Sequence, residues 1–156
     1  MRINAFNIRV YMLLLNETRD QILLSDEIIG GEYYTKFPGG GVEYGEGILD
    51  ALHREALEEL NQGIEVVRHF YTTEFMQASR FRVNEQVVSV YYLSHLEKDQ
   101  NGRRLPLFRL GQKQFDFVNF EEREESFRWI ALSELSQNEM SFPIDRHVVS
   151  LLPSAF

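Results

Sequence analysis

Cysteine is absent from all 156 residues. Its absence removes disulfide staples, thiolate metal sites and cysteine nucleophiles together, and it suits a reducing compartment. Positive charge is scarce as well: 16 Lys and Arg stand against 24 Asp and Glu, a formal net charge of −8. A surface of that sign repels phosphate backbones and anionic lipid, so general nucleic-acid or membrane binding is disfavoured. One small phosphorylated ligand stays compatible, because a bound divalent cation reverses the local field. Long apolar runs are missing too. The opening "MRINAFNIRVYMLLLN" is interrupted by Asn7 and Arg9, is too short to span a bilayer and precedes no small-residue cleavage site. It reads as a strand of a cytoplasmic protein. No repeat, low-complexity tract or linker divides the chain, so residues 1–156 read as one domain, with 12 Phe and 7 Tyr available for a core.

What is present alternates between strand and helix patterns. Residues 6–15 are rich in Ile, Val, Tyr and Leu, "NETRD" supplies a turn, and "QILLSDEII" reads as the returning strand of a hairpin. A short aromatic strand and a Pro-Gly loop follow in "GGEYYTKFPGGG". Residues 46–60 form an amphipathic helix in which Leu49, His53, Ala56, Leu57 and Leu60 share the packing stripe. "IEVVRHFYTTEFM" and "EQVVSVYYLSHL" read as two long strands, and residues 97–114 as a polar loop. "FRWIALSEL" is a strand running into a helix capped by Ser133, and "FPIDRHVVSLLP" is a closing helix with Pro143 near its start. The class expected is α+β, a mixed sheet between helices in an α/β/α sandwich.

The helix of residues 46–60 carries an anomaly. Glu55, Glu58 and Glu59 stand at i, i+3 and i+4, on one face and near the C-terminal end. Like charges at that spacing destabilise an isolated helix by roughly 0.2–0.5 kcal/mol per pair. The helix dipole disfavours carboxylates at that end as well. A hard divalent cation explains them, because it takes several oxygen ligands and removes the repulsion. Directly before the helix, "PGGGVEYGEG" supplies backbone that can approach a ligand closely. Loop and helix together have the makings of a metal and phosphate site, against the plainer reading of a solvated acidic face.

The same segment resembles the signature of the Nudix hydrolases, G-x5-E-x7-R-E-U-x-E-E-x-G-U, with U bulky and apolar. Gly40 begins it, Glu46 follows after five residues, Arg54-Glu55 after seven more, and Glu58-Glu59 complete the acidic core. Asn61 stands where the family has Gly, and Gln62 where an apolar residue is usual. Asn is the next best residue for a left-handed helix cap, and Gly63-Ile64 can take over the entry into the next strand. The flanking strands and the "RWIALSEL" ending also look like the family, so the resemblance spans nearly the whole chain.

That resemblance implies a Nudix-like α/β/α fold and Mg²⁺- or Mn²⁺-dependent hydrolysis of a diphosphate linked to another moiety. Nucleotide sugars, ADP-ribose-like compounds and nucleoside triphosphates are all open as substrates. It implies metal ligands at Glu55, Glu58 and Glu59 with the Gly40 carbonyl, catalytic roles for Glu55 and Glu59, and a supporting tie between Arg54 and Glu46. A later glutamate completes the catalytic set in some branches. "NFEEREESF" offers Glu121, Glu122, Glu124 and Glu125, with Glu122 favoured. The partners expected are a small-molecule diphosphate and at most a second copy of the chain. A diphosphate isomerase on this fold is excluded by the lack of cysteine. A non-catalytic sensor of nucleotide derivatives is the alternative. Tyr33, Tyr34, Phe37 and Tyr44 beside the loop, and Arg80 and Arg82 in "QASRFRVNEQ", could meet a base, ribose or phosphate, although core packing or plain exposure is the commoner fate of such residues. His53, His69, His95 and His147 lack ligand spacing.

Overall fold

Alternation along one strand sets the architecture. In the computed structural model, which describes residues 2–156, strand β1 (Ala5–Leu15) turns Tyr11, Leu13 and Leu15 into one core and Val10, Met12 and Leu14 into another. Successive side chains of a strand point to opposite faces, so both faces need a cover. Helix α1 (Ile48–Leu60) covers one with Ala51, Leu52, Ala56 and Leu60, and helix α2 (Pro143–Leu151) the other with Ile144, Val148 and Val149. The result is the expected α/β/α sandwich.

The middle layer is a mixed sheet completed by β2 (Gln21–Ile29), β3 (Glu32–Lys36), β4 (Gly39–Gly41), β5 (Ile64–Thr72), β6 (Glu85–Leu96) and β7 (Arg123–Ala131). Its order is β3-β2-β1-β6-β5, with β4 on β1 and β7 on β2. β1 and β6 run parallel; the other pairs are antiparallel. The hairpin expected between β1 and β2 is reduced to one register position, Leu15 opposite Ile22. Beyond it the strands part. The Pro38 carbonyl accepts the Met12 N–H at 2.8 Å and steers the glycine run onto β1, while β2 pairs along its length with β7. A cleft of about 970 Å³ lies in this region, with Arg9 and Tyr11 of β1 and Glu27 and Ile29 of β2 in its walls.

Three other expectations are corrected. α1 starts at Ile48 rather than at Glu46, because Gly45 turns the chain at φ 87° and Gly47 is the N-cap, its N–H donating to Asp50 at 3.1 Å. The packing stripe is rotated: Leu49, His53 and Leu57 are exposed, and Ala51 and Leu52 are buried with Ala56 and Leu60. Two alanines on the inner face let the helix close on the sheet and carry Glu55 inward. The helix expected after "RWIA" is a turn followed by a short 3₁₀ segment, Gln137–Glu139, and Ser136 caps it in place of Ser133. The reading of Asn61 agrees with the structure: at φ 50°, ψ 34° it ends α1 with its N–H on the Leu57 carbonyl, and β5 begins at the buried Ile64. Among the described residues, no helix is long and apolar enough to cross a membrane.

Candidate active site

The glycine loop is shaped by close approach. Gly39, at φ 150°, pairs with Tyr11, and a Cβ there would collide with the Val10 carbonyl and Tyr11. A Cβ on Gly40 would overlap the Glu55 carboxylate. The loop therefore lies flat against β1 on one side and against the acidic face of α1 on the other.

Arg54 bridges helix and loop. Its guanidinium grips Glu46 through Nε at 3.0 Å and Nη2 at 2.6 Å, and Nη2 also donates to the Gly41 carbonyl at 2.9 Å. Nη1 reaches Glu55 and Glu58, each at 3.1 Å. The Glu46 hydrogen bond is the main influence raising the Arg54 guanidinium above its ordinary range. Arg54 is thus charged at any working pH and offsets much of the repulsion along α1.

The three helix carboxylates occupy different surroundings. Glu58 is exposed at the flank, whereas Glu55 is buried behind Gly40, and burial raises its carboxyl against the pull of Arg54. Glu59 turns into the fold and accepts the Gly39 N–H at 2.9 Å. Burial pushes the Glu59 carboxyl up to about 7; Lys36 works against this, and Glu55 and Glu27 add to it.

Glu59 meets two glutamates from the sheet. Glu27 of β2 and Glu125 of β7 lie directly opposite each other in the strand register, and one carboxylate oxygen from each of Glu27, Glu59 and Glu125 falls within 4.8 Å of the others. Like charges so placed are unfavourable unless something positive or a proton joins them. Burial, the hydrogen bond to Glu27 and the charges of Glu59 and Glu27 raise the Glu125 carboxyl to about 10. Burial works upward on Glu27 too, but the bond from Glu125 and the Lys36 ammonium outweigh it and hold Glu27 low. An all-oxygen donor set of this kind suits Mg²⁺ or Mn²⁺, the hard cations that carboxylates and carbonyls favour.

Of the late glutamates, only Glu125 enters this cluster. Glu121 and Glu122 are exposed before β7, and Glu124 turns to the Val118 and Asn119 amides at 2.7 and 3.1 Å. Of the flanking aromatics, Phe37 is in the core, Tyr34 stacks on Phe142 at 5.4 Å, Tyr33 packs on Phe115 and Phe117, and Tyr44 is fully exposed. Arg80, with its guanidinium over the Tyr34 ring, and Arg82 line the cleft. Among the described residues, no histidine joins a group able to hold a metal.

Sequence reasoning missed Glu27, Lys36 and Asp145. Glu27 is a charged residue inside an apolar strand, the signal that could have marked it, whereas Lys36 ends its strand. Lys36 is buried, with its ammonium 3.1 Å from Glu27, and Asp145 lines the cleft deep on α2, accepting the Tyr91 hydroxyl at 2.5 Å.

The sequence matches the NUDIX domain family over residues 5–152. No curated protein gives a significant match. Many solved structures share the fold. A MutT NUDIX hydrolase from Burkholderia pseudomallei has a TM-score of 0.64 at 19% identity, covering 96% of this chain and 100% of its own. A NUDIX hydrolase from Nitrosomonas europaea has 0.63 at 18%, covering 92% and 86%. A MutT protein from Methanosarcina mazei has 0.60 at 18%, covering 95% and 93%.

Proposed function

Because this chain belongs to the NUDIX family and is a pyrophosphohydrolase of that family, we propose that it uses Mg²⁺ or Mn²⁺ to hydrolyse a diphosphate linkage in a nucleotide derivative. The observation that carries the reading is the convergence of Glu59 of α1, Glu27 of β2 and Glu125 of β7 beside the glycine loop. When bound, the cation would neutralise diphosphate oxygens, polarise phosphorus and acidify water. Glu55, Glu58 and Glu59, with the Gly40 carbonyl, would hold it from the signature side, and Glu27 and Glu125 from the sheet. Arg54, fixed by Glu46, keeps helix and loop in register.

Glu125 takes the late catalytic role in preference to Glu122, because it lies with Glu59 and Glu122 does not. The Glu125 carboxyl would lose its proton on cation binding, and the carboxylate so freed would accept the proton of the attacking water. The water oxygen forms the new bond to phosphorus as the bridging P–O bond breaks. Arg9, Arg80 and Arg82 supply positive charge along the cleft for phosphate oxygens. Its volume of about 970 Å³ is enough for a nucleotide with a second moiety. Nucleotide sugars, ADP-ribose-like compounds and nucleoside triphosphates stay in the substrate class. A cytoplasmic setting, with no nucleic acid or membrane partner, accords with the acidic, cysteine-free composition.

The test is a panel of these compounds with Mg²⁺ or Mn²⁺, scored for phosphate-containing products. Glu59→Gln is expected to lower turnover on a cleaved member by orders of magnitude with the fold kept, since Gln can still accept the Gly39 N–H. Unchanged turnover would sink the mechanism. Tight binding of one member with no cleavage of any would favour the sensor.

A further inference from the structure

A lysine among clustered carboxylates is an unexpected component of a divalent-cation site. Lys36 ends β3 and is 6% exposed. Its position follows from the register: Ser25 of β2 is directly opposite, and Glu27 is the diagonal neighbour on the same face. The ammonium lies 3.1 Å from a Glu27 carboxylate oxygen and 3.3 Å from the Gly39 carbonyl, with the Tyr11 ring centroid 5.7 Å away. Glu59 accepts the N–H of that same Gly39 at 2.9 Å. A carboxylate, a main-chain carbonyl and an aromatic face are the surroundings of a bound cation.

We propose that the Lys36 ammonium permanently fills one cation position of the Glu27, Glu59 and Glu125 cluster, so that the site takes one divalent ion fewer than its carboxylates could hold. The inference rests on the metal-dependent reading above. With an ion in place and the carboxyl protons displaced by it, the three carboxylates and one ammonium leave two negative charges, which a single divalent ion neutralises. Without the ammonium, the third charge invites a second ion. Lys36 does not withdraw readily, because its departure would leave Glu27 a buried carboxylate without its partner.

Titrating Mn²⁺ into the full chain, with free Mn²⁺ read by electron paramagnetic resonance, counts bound ions without reference to turnover. Lys36→Met is expected to bind one more Mn²⁺ per chain than the wild type, and Lys36→Arg the wild-type number. Equal, non-zero numbers in the wild type and Lys36→Met would overturn the role of Lys36 and leave the metal-dependent reading standing. No bound Mn²⁺ in any of the three would overturn both. A second measurement needs no variant. The chain has three lysines, and Lys98 and Lys113 are exposed. Under reductive methylation read by mass spectrometry, Lys36 is expected to stay unmodified with and without saturating Mn²⁺. Lys36 becoming as reactive as Lys98 on adding Mn²⁺ would show that the ammonium gives up its place, and the proposal would fail.

Discussion

Asp145 gives a quantitative test of the deep end of the cleft. It is 3% exposed, and burial pushes its carboxyl up to about 6 from the ordinary aspartate value of 3.8, even though the Tyr91 hydroxyl donates to it. Below about pH 4 the side chain is neutral in both folded and unfolded chains and has no effect on the balance. As pH rises from about 4 to about 6, the unfolded chain releases this proton first, the native state binds more protons, and stability falls. Above about pH 6 both forms are ionised and the penalty levels off at about 3 kcal/mol. Asp145→Asn removes the charge and keeps an oxygen for Tyr91. The variant should therefore exceed the wild type in stability by about 3 kcal/mol at pH 8 and by about 1.5 kcal/mol at pH 5. Urea denaturation of both chains across that range measures the difference, in which the titrations of Glu59 and Glu125 cancel. A difference that stays flat between pH 5 and pH 8 would refute the reasoning.

Glu125→Gln is expected to cut kcat on a cleaved substrate by at least about 100-fold, while Glu122→Gln leaves it unchanged; equal effects would return the late role to the exposed bend. Gly40→Ala should displace the Glu55 carboxylate, a flexible group, so activity falls with little change in Tm, whereas Gly39→Ala strikes the backbone of β1 and should cost about 1–3 kcal/mol in a urea melt. Asp26 is 1% exposed and is joined to Arg128 at 2.8 Å, to the Thr35 hydroxyl and to the Phe115 N–H. Asp26→Ala leaves that guanidinium without its buried partner and should cost about 3–5 kcal/mol, seen as a lowered urea midpoint.

The fold was legible where the information is local. β1, β2, β6 and α2 follow from apolar alternation and from Pro143, and the α1 exit from Asn61. Two of the failures share a cause, dependence on a distant partner, while the start of α1 was set locally by Gly45 and Gly47. Residues of β1 and β2 look like a hairpin until β4 occupies the edge of β1 and β7 pairs with β2. Leu49, His53 and Leu57 look like a packing face until Ala51 and Ala56 permit a closer approach on another side of the helix.

The site divides in the same way. Gly40, Glu46, Arg54, Glu55, Glu58 and Glu59 lie within twenty residues, so their spacing alone indicates a helix face and a loop. Glu27 and Glu125 are far apart in the chain, and nothing near either one points to the other. Their meaning comes from the antiparallel register of β2 and β7, which sets Glu27 opposite Glu125 and Ile28 opposite Glu124. Successive residues on a strand face opposite ways, so that register admits Glu125 to the cluster and turns Glu124 away from it. A shift of one position would exchange them. Choosing among four adjacent glutamates was therefore never a question their own segment could answer. It required knowing which strand lies alongside and in what phase. Lys36 obeys the same logic, since a charged residue before "FPGGG" reads as a strand end until the register places it diagonal to Glu27.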